Sequence, residues 1–464
     1  MIRCLALLWL ITLPAESLGA IRFSELAGRI FGDSDLKSQI ESDRLRVFLE
    51  YQVAVGNQFD PVLKAKYFDQ FRGDYIQRRK ELSVAQRLSV WGSAIEFGYN
   101  KSQGDFADYD GKYMTQDGGS LRAKLDIPLL RNGWTDGLRA ALRKGIISKE
   151  VSELQARSQS LDLLRQIGAR YWDWYLNGQR LKVAEKILKL AEDRQEKIRI
   201  RVERGDIAKI EELEGDRTIL QRKAALAQGN RTFTRSRLDL EALLSTRAEA
   251  ISELPVSEVP DLQIPSNPNH AASTWKQSEQ EDAESHPEVR RQRLVLEQTG
   301  IDRELAGNQF LPKLDFSVEA GENLGNPVYG LSKFRMNGGI FFEFPIPSRA
   351  ASARISQAEA QWVRQEATAS LTLVRIRNQI ADSGVALGLA HERLKLASSE
   401  LELAKKLVDL ESKRFLEGDS NLLLLNIREQ NLAEAEIRKF EAFSEMKRSE
   451  IDLRAAQGRL ELID

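Results

Sequence analysis

The sequence predicts a mostly α-helical protein with a small β part, built as two tandem repeats of helix, strand, strand and long helical hairpin. Three observations support this fold class. The segment Arg180–Asp206 returns in related form as Arg393–Asp419. Prolines are absent from residues 129–254 and 348–464, which suits long uninterrupted helices. Short stretches of alternating apolar and polar residues precede each of these runs.

The composition excludes several functional classes. The chain has 464 residues, with 68 Lys and Arg against 69 Asp and Glu, so its net charge is -1 and no basic excess indicates a nucleic-acid partner. Its 3 histidines are far apart in sequence and show no metal-ligand spacing. Nucleophile motifs, phosphate-binding loops and compact pairs of carboxylates are also missing. We therefore expect no metal, no cofactor and no enzymatic activity.

The N-terminus is typical of an exported protein. Arg3 precedes an apolar run from Cys4 to Leu13, and Ala15 or Ala20 offers a cleavage site. We assign residues 1–20 to a signal peptide, whose removal would take away the chain's one cysteine. No later stretch of about 20 apolar residues predicts a transmembrane helix.

The first repeat is predicted to cover residues 21–250. A partly helical lead-in ends near residue 59, and Asp60 with Pro61 then resembles a helix start, with an acidic cap and a proline in the first turn. His286 and Pro287 resemble the same start in the second repeat, over residues 275–464. Prolines mark a linker over residues 251–274.

Each repeat is predicted to carry two strands, over about 86–100, 120–128, 312–321 and 334–345. In the second of these, Leu121, Ala123 and Leu125 alternate with charged residues, which gives the strand one apolar and one polar face. Such strands fit a membrane β-barrel with a wet lumen, and the alternative is an amphipathic sheet in a soluble domain. Because four strands cannot close a barrel, the barrel has to be shared, with eight strands from two chains or twelve from three.

A helical hairpin is predicted after each pair of strands, over residues 134–245 and 348–462. Apolar residues at heptad spacing, such as Leu181 and Leu188, predict a coiled-coil seam, which Gln195 interrupts. Each hairpin turns at a glycine. The tip residues are Arg204, Gly205, Asp206, Glu417, Gly418 and Asp419, and the two aspartates are expected to cap the returning helices.

Two further groups of side chains have more than one interpretation. Glu211, Glu212 and Glu214 follow the first tip; they fit a solvated helix start, or a ring of acids around a pore entrance if copies of the chain assemble. Four aromatic residues near position 173 fit core packing or a drug-binding cluster; they are Tyr171, Trp172, Trp174 and Tyr175.

The order of these elements, found twice, resembles the outer membrane efflux protein family, the TolC-like channels, from about residue 40 to 460. The residues that carry the resemblance are His286-Pro287, Leu311-Pro312-Lys313-Leu314, Phe344-Pro345-Ile346-Pro347, Ala358-Glu359-Ala360 and the two tips. The resemblance implies a homotrimer with a twelve-stranded barrel in the outer-membrane lipid of a Gram-negative bacterium and a helical tunnel in the periplasm. It also implies docking to a periplasmic adaptor that serves an inner-membrane transporter, for efflux or type I secretion.

The resemblance assigns roles to the tips as well. The tip glycines lie where adaptors engage, although here charged residues replace the family's apolar neighbours of the glycine. Glu211 occupies the position of an acid that closes the entrance in well-known members, but its partner positions hold Phe415 and Ser420, so that latch cannot form in the usual way. We expect Glu211 and Glu214 at the tunnel entrance. The alternative function is a periplasmic coiled-coil scaffold or adaptor without a pore.

Overall fold

The computed structural model describes residues 22–33, 35–70, 76–104, 114–244, 259–262, 264, 275–326, 331–417 and 419–459. The predicted signal peptide, most of the proline-rich linker and Gly418 lie outside these residues. The chain divides into two compact units. The sheet unit comprises residues 41–156 and 287–374, and the helical unit comprises residues 1–40, 157–286 and 375–464.

Eight helices are found in the described residues. They are α1 (Phe23–Asp33), α2 (Asp35–Phe59), α3 (Gly137–Glu203), α4 (Lys209–Leu244), α5 (Trp275–Ser285), α6 (Pro287–Phe310), α7 (Arg349–Glu417) and α8 (Leu422–Ala456). The long helices α3 and α7 each lead into a shorter return helix, as the proline-free runs predict.

The described strands form one antiparallel sheet of six, in the order of the sequence. They are β1 (Val62–Gln70), β2 (Gln77–Arg87), β3 (Ala94–Gly104), β4 (Ser120–Pro128), β5 (Lys313–Asn323) and β6 (Phe334–Glu343). The chain therefore carries one hairpin, β1–β2, beyond the four expected strands. The strand expected over about 86–100 is divided between the end of β2 and most of β3.

The prediction of a helix from Asp60 is wrong. Helix α2 ends at Phe59, and β1 begins at Val62. The residue before a proline is biased towards extended backbone, and the β-branched Val62 favours a strand. The signal was present in the sequence, because residues 57–61 (Asn-Gln-Phe-Asp-Pro) match residues 308–312 (Asn-Gln-Phe-Leu-Pro), which also join a helix to a strand.

Helix α3 begins with a charged cap. Asp136 accepts hydrogen bonds from the backbone N–H groups of Leu138 (2.8 Å) and Arg139 (3.0 Å), and its second oxygen accepts from the Arg139 guanidinium at 2.6 Å. Burial opposes ionisation of this carboxyl, but the bonds from Arg139 and Leu138 outweigh it and lower the pKa of Asp136. The cap thus fixes the point at which the chain leaves the sheet and enters the helix.

Ion pairs connect α3 to α6 within the sheet unit. Arg143 lies 2.8 Å from Glu304, and Lys144 lies 2.6 Å from Asp302. Gln298 adds a hydrogen bond of 2.9 Å to Ser148. These pairs are exposed or half-buried, so each contributes little stability by itself. Together they fix the register of α6 against the start of α3.

The core of the helical unit consists of the predicted seam and the aromatic cluster. Leu181, Leu188, Leu394 and Leu401 of the seam are buried. Of the aromatic residues, Trp172 packs edge-on against Tyr171, Tyr175 and Phe443, with ring centroids 5.1–5.6 Å apart. All four predicted aromatic residues are almost completely buried. This packing supports the structural interpretation of the cluster over a binding role.

Candidate functional site

The tip of the first hairpin is a left-handed glycine turn. Gly205 has φ +80, its N–H donates to the carbonyl of Val202 at 2.9 Å, and the Asp206 N–H donates to the carbonyl of Arg201 at 2.9 Å. This pair of bonds is the Schellman motif, which satisfies carbonyls at a helix C-terminus. Arg204, Gly205 and Asp206 are all exposed. The turn therefore presents one positive and one negative side chain to the surroundings.

At the second tip, helix α7 ends with the same backbone hydrogen bond across five residues. The Asp419 N–H donates to the carbonyl of Arg414 at 2.9 Å, and the Arg414 guanidinium donates to the carbonyl of Asp419 at 3.2 Å. Glu417 and Asp419 are exposed. The tip charges of the two hairpins thus differ, with Arg204 before the turn in the first and Glu417 in the second.

The expectation that Asp206 and Asp419 cap the return helices is wrong. Helix α8 begins at Leu422, and its cap is Asn421, whose side chain accepts from the Leu424 N–H at 2.9 Å. Helix α4 begins only at Lys209. Two residues follow each aspartate, 207–208 and 420–421, before the next helix begins. The two aspartates therefore lie in the turns themselves.

The acids after the first tip lie on the first turns of α4. Glu211 is half-buried and Glu214 is exposed. Glu214 lies 3.5 Å from Arg217, one turn along the same helix. Within one chain this geometry is that of a solvated helix start, where carboxylates favour the positive end of the helix dipole. Among the described residues, no hydrogen bond or ion pair joins Glu211 or Glu214 to the tips.

Ser420 makes a bond within its own hairpin. Its hydroxyl donates to the Glu411 carboxylate, which is buried in the last turns of α7. Arg414 lies 3.9 Å from the same carboxylate. The second tip is therefore closed by its own Glu411, at a position where the family resemblance would have placed a latch to the first hairpin.

Below the tips lies a buried charged group that the sequence did not indicate, which we call the Arg–Glu–Arg cluster (Arg194, Arg222 and Glu429). Glu429 of α8 binds Arg194 of α3 and lies 3.5 Å from Arg222 of α4. Arg222 also donates to the carbonyl of Ile187 at 2.7 Å. Burial lowers the pKa of Arg222, while Glu429 acts in the opposite direction. The cluster joins the two hairpins about 15 Å from the first tip, at 1.5 Å per residue.

Gln195, the polar break in the seam, crosses to the return helix. Its amide donates to the carbonyl of Glu212 and to the carboxylate of Asp216, both at 2.8 Å. Gly215 leaves the space for this contact, because a Cβ there would lie 1.7 Å from the Gln195 side-chain oxygen. The heptad interruption is thus a specific bridge between α3 and α4 near the tip.

In its central rows the sheet has one apolar and one polar face, whereas Arg78, Lys80 and Lys101 lie on the apolar side near the loop ends of β2 and β3. Facing residues in register include Leu63, Val84, Phe97, Ala123, Ala320 and Met336 on the apolar side. Leu82, Phe97 and Leu121 remain 50%, 57% and 52% exposed, whereas Ser83 and Ser102 on the polar side are 5% and 0% exposed. This distribution is the reverse of that in a water-soluble sheet, since the apolar side is the open one.

Charges of opposite sign alternate across the polar face. Arg122 of β4 lies 3.5 Å from Glu96 and 3.8 Å from Glu81, and Lys64 of β1 lies 3.3 Å from the same Glu96. These pairs connect four adjacent strands. The polar side can therefore face water in a narrow space without carrying a large excess of either sign.

The fold is thus a duplicated chain in which β-strands lead into long helical hairpins and one side of the sheet is apolar and exposed. The chain belongs to the outer membrane efflux protein family, whose model matches residues 94–246 and 280–459. The match covers most of both repeats and confirms the resemblance found in the sequence.

Solved structures with the same fold are distant in sequence. The outer membrane protein VceC from Vibrio cholerae is 13% identical, with a TM-score of 0.66 over 94% of this chain and 96% of that chain. The MtrE outer membrane channel of Neisseria gonorrhoeae is 14% identical, with a TM-score of 0.65 over 96% and 94%. The CmeC outer membrane channel of Campylobacter jejuni is 12% identical, with a TM-score of 0.64 over 96% and 90%. Comparison with curated proteins gives no significant match.

No group of three or more His, Cys, Asp or Glu side chains in the described part of the chain is placed to hold a metal ion. Among the helices described, none is both long enough and apolar enough to cross a membrane.

Proposed function

We propose that this chain is the outer-membrane channel of a tripartite efflux or type I secretion system. Three copies assemble, their sheets form one barrel in the outer membrane of a Gram-negative bacterium, and their helices continue into the periplasm. The hairpin tips dock onto a periplasmic adaptor, and an inner-membrane transporter supplies the energy. The chain itself acts as a passive duct and catalyses no reaction.

The observation that carries the proposal is the two-faced sheet. Its strands have 9 to 11 residues, the length that spans a bilayer in tilted β-strands. Lipid would cover the apolar side and water would fill the polar side. Family membership supports the same function independently.

An unpartnered stripe on α7 supports assembly of several copies. Leu389, Leu396, Leu403 and Leu410 recur every seventh residue, and each is more than half exposed. Heptad leucines form a coiled-coil seam when a second helix covers them. None of the helices described in this chain does so, and the corresponding helix of another copy is the proposed partner.

The charged tips support docking to a partner with a charged rim. Arg204, Asp206, Glu417 and Asp419 are exposed at the two turns, where complementary charges on an adaptor would guide partner choice and association rate. In the trimer, hairpins of the two types alternate, so Arg204 lies near Glu417 of a neighbouring hairpin. Glu211 and Glu214 follow at the entrance, where symmetry would repeat them as a ring of acids.

The alternative is a periplasmic coiled-coil scaffold or adaptor without a pore. In such a protein the whole six-stranded sheet would lie in water. Its exposed apolar side would then be in contact with water, which is unfavourable. Membrane fractionation separates the two functions: the channel is recovered with outer membranes and needs detergent, whereas a scaffold is released as a soluble protein.

Conductance tests the channel directly. Purified protein, reconstituted in a planar bilayer, should pass ions without ATP, and loosening the entrance should raise the current. Glu429→Gln, which removes the charge that joins the two hairpins, serves as the opened variant at a temperature at which circular dichroism shows its helices intact. Absence of conductance in both the native protein and this variant, with insertion verified, would overturn the proposal.

A further inference from the structure

The hairpin β1–β2 lies outside the matched family region and inside the sheet. The family model begins at residue 94, where β3 begins, so both strands of the hairpin precede it. In the second repeat, α6 leads into a single hairpin, β5–β6, before α7. In the first repeat, α2 leads into β1–β2 and β3–β4 before α3. The first repeat therefore carries one additional hairpin.

The additional hairpin is continuous with the rest of the sheet in pairing and in chemistry. All nine residues of β1 are in register with β2, and all of β2 is in register with β3. Leu63 and Val84 extend the apolar row that contains Phe97, and Lys64 pairs with Glu96 on the polar side. A hairpin that was not paired with the sheet would not continue its apolar and polar rows of side chains.

Because β2 occupies the outer side of β3, the free edges of the described sheet are β1 and β6. Unpaired backbone groups are not tolerated in lipid, so both edges need partners in a membrane. We propose that β1 of each copy pairs with β6 of the next copy, so that three copies close a barrel of eighteen strands. This inference rests on the proposed channel function, and it replaces the twelve strands that the family resemblance implies.

The two edges are complementary. Antiparallel pairing places the end of β6 beside the start of β1, since both lie next to helices of the sheet unit. Lys66 of β1 and Glu343 of β6 are exposed on the polar faces of their strands, and neither has an ion-pair partner among the described residues. In the register that places Ala65 opposite Phe342 and Tyr67 opposite Ile340 on the apolar faces, Lys66 and Glu343 are diagonal neighbours within reach of long side chains.

The consequence is a wider pore through the outer membrane. Barrel diameter grows roughly linearly with strand number, so eighteen strands give a lumen about 1.5 times as wide as twelve. Barrels of this strand number leave an open aqueous channel. Arg79 and Glu81 of β2, which share the polar face, would line the lumen in addition to the residues of β3–β6.

Disulfide trapping between copies distinguishes the two barrels. In a Cys4→Ser background, Ala65→Cys is combined in turn with Ile340→Cys and Phe342→Cys, and each protein is oxidised in the membrane. One of these combinations should give covalently linked dimers and trimers, because facing Cβ atoms in adjacent strands lie about 4.5–5.5 Å apart. Phe97→Cys with the same β6 cysteines is the matched control; a twelve-stranded barrel would bring these strands together, and an eighteen-stranded barrel would hold them about 14 Å apart at 4.7–4.9 Å per strand.

Crosslinks through Phe97→Cys and none through Ala65→Cys would overturn the eighteen-stranded barrel while leaving the channel intact. Absence of all crosslinks, together with a soluble protein, would instead contradict the proposed function itself. Electron microscopy of the detergent-solubilised native protein supplies a measurement without substitutions. A barrel of twelve strands in such images would also overturn the inference.

The charge pair gives a second readout at the joint. Lys66→Glu and Glu343→Lys should each reduce the fraction of trimer that resists dissociation in detergent, and the double exchange should restore part of it. Equal losses in the single variants and a further loss in the double variant would contradict the pairing of these two edges.

Discussion

At the scale of single residues, the Arg–Glu–Arg cluster is the most sensitive point of the helical unit. Glu429→Gln leaves Arg194 and Arg222 buried together without a compensating charge. Breaking a buried ion pair from one side typically costs about 3–5 kcal/mol. We therefore expect a marked decrease in the unfolding temperature, measured by circular dichroism of the purified protein.

Glu400→Gln is the matched control for this variant. Glu400 pairs with Arg438 at 2.8 Å, but both side chains are exposed, and such pairs contribute about 0–1 kcal/mol. The control should unfold at nearly the native temperature. Equal effects of the two substitutions would show that the cluster is not an important contribution to stability.

The Asp136 cap predicts a pH dependence. The pKa of Asp136 is lowered in the folded protein, so the cap stabilises the fold above the ordinary pKa of about 3.9 and loses this contribution as the pH falls below it. Asp136→Asn keeps a capping oxygen but cannot ionise. Its stability deficit, from the lost charge beside Arg139 and the helix dipole, should be up to about 1 kcal/mol at neutral pH and should disappear in acid, as judged by unfolding at the two pH values. An equal deficit at the two pH values would show that the charge of Asp136 does not stabilise the fold.

The tip charges predict a defect in export without a defect in assembly. Arg204→Glu reverses an exposed charge at the first turn, and a compensating charge change in the adaptor should restore export. Lys189→Glu, exposed on α3 away from the tips, is the control and should behave as the native protein. If Arg204→Glu and Glu417→Arg both leave adaptor binding and export unchanged, recognition lies elsewhere on the helices.

At the scale of elements, the first hairpin depends on the backbone of Gly205. Its φ of +80 disfavours any residue with a Cβ, although the space around it is open. Gly205→Ala should destabilise the hairpin by about 1 kcal/mol, whereas Gly205→Asn should be tolerated better. Gly300→Ala, in the open interior of α6, should instead be neutral or stabilising. Hydrogen exchange of residues near the tip measures the local effect.

The sequence predicted helical hairpins more accurately than strands, for a physical reason. A long proline-free run with leucines at heptad spacing is compatible only with a helix. The pattern therefore predicts α3 and α7, each followed by its return helix. Asp60 and Pro61 are compatible with either the start of a helix or its end, because proline fits both positions. The neighbouring match to residues 308–312 resolves this ambiguity, and β1 follows from it.

The candidate site was only partly accessible from sequence. The glycine turn at Gly205 could be predicted from its repeated sequence. Capping by Asn421 was missed because the turn extends past Asp419. The Arg–Glu–Arg cluster could not be predicted from the sequence. Charged residues are common on all faces of these helices, and which of them come into contact depends on how the two hairpins pack.

At the scale of the whole molecule, the leucine stripe of α7 predicts dependence on neighbouring copies. Leu403→Lys places a charge in the centre of the proposed seam and should convert trimer to smaller species in detergent, as measured by light scattering. Lys405→Glu, exposed on the same helix two residues after Leu403 and therefore on a different face, should leave the mass unchanged. A native mass for Leu403→Lys would show that another surface holds the copies together.

The free edges at β1 and β6 also have a genetic consequence. In the proposed trimer, no copy can complete its barrel alone, and one chain with a defective edge leaves the whole ring open. If intact and defective chains are made together and mix at random, the fraction of fully intact rings falls as the third power of the fraction of intact chains. An edge variant should therefore be dominant over the native gene, whereas a variant that never folds should be recessive.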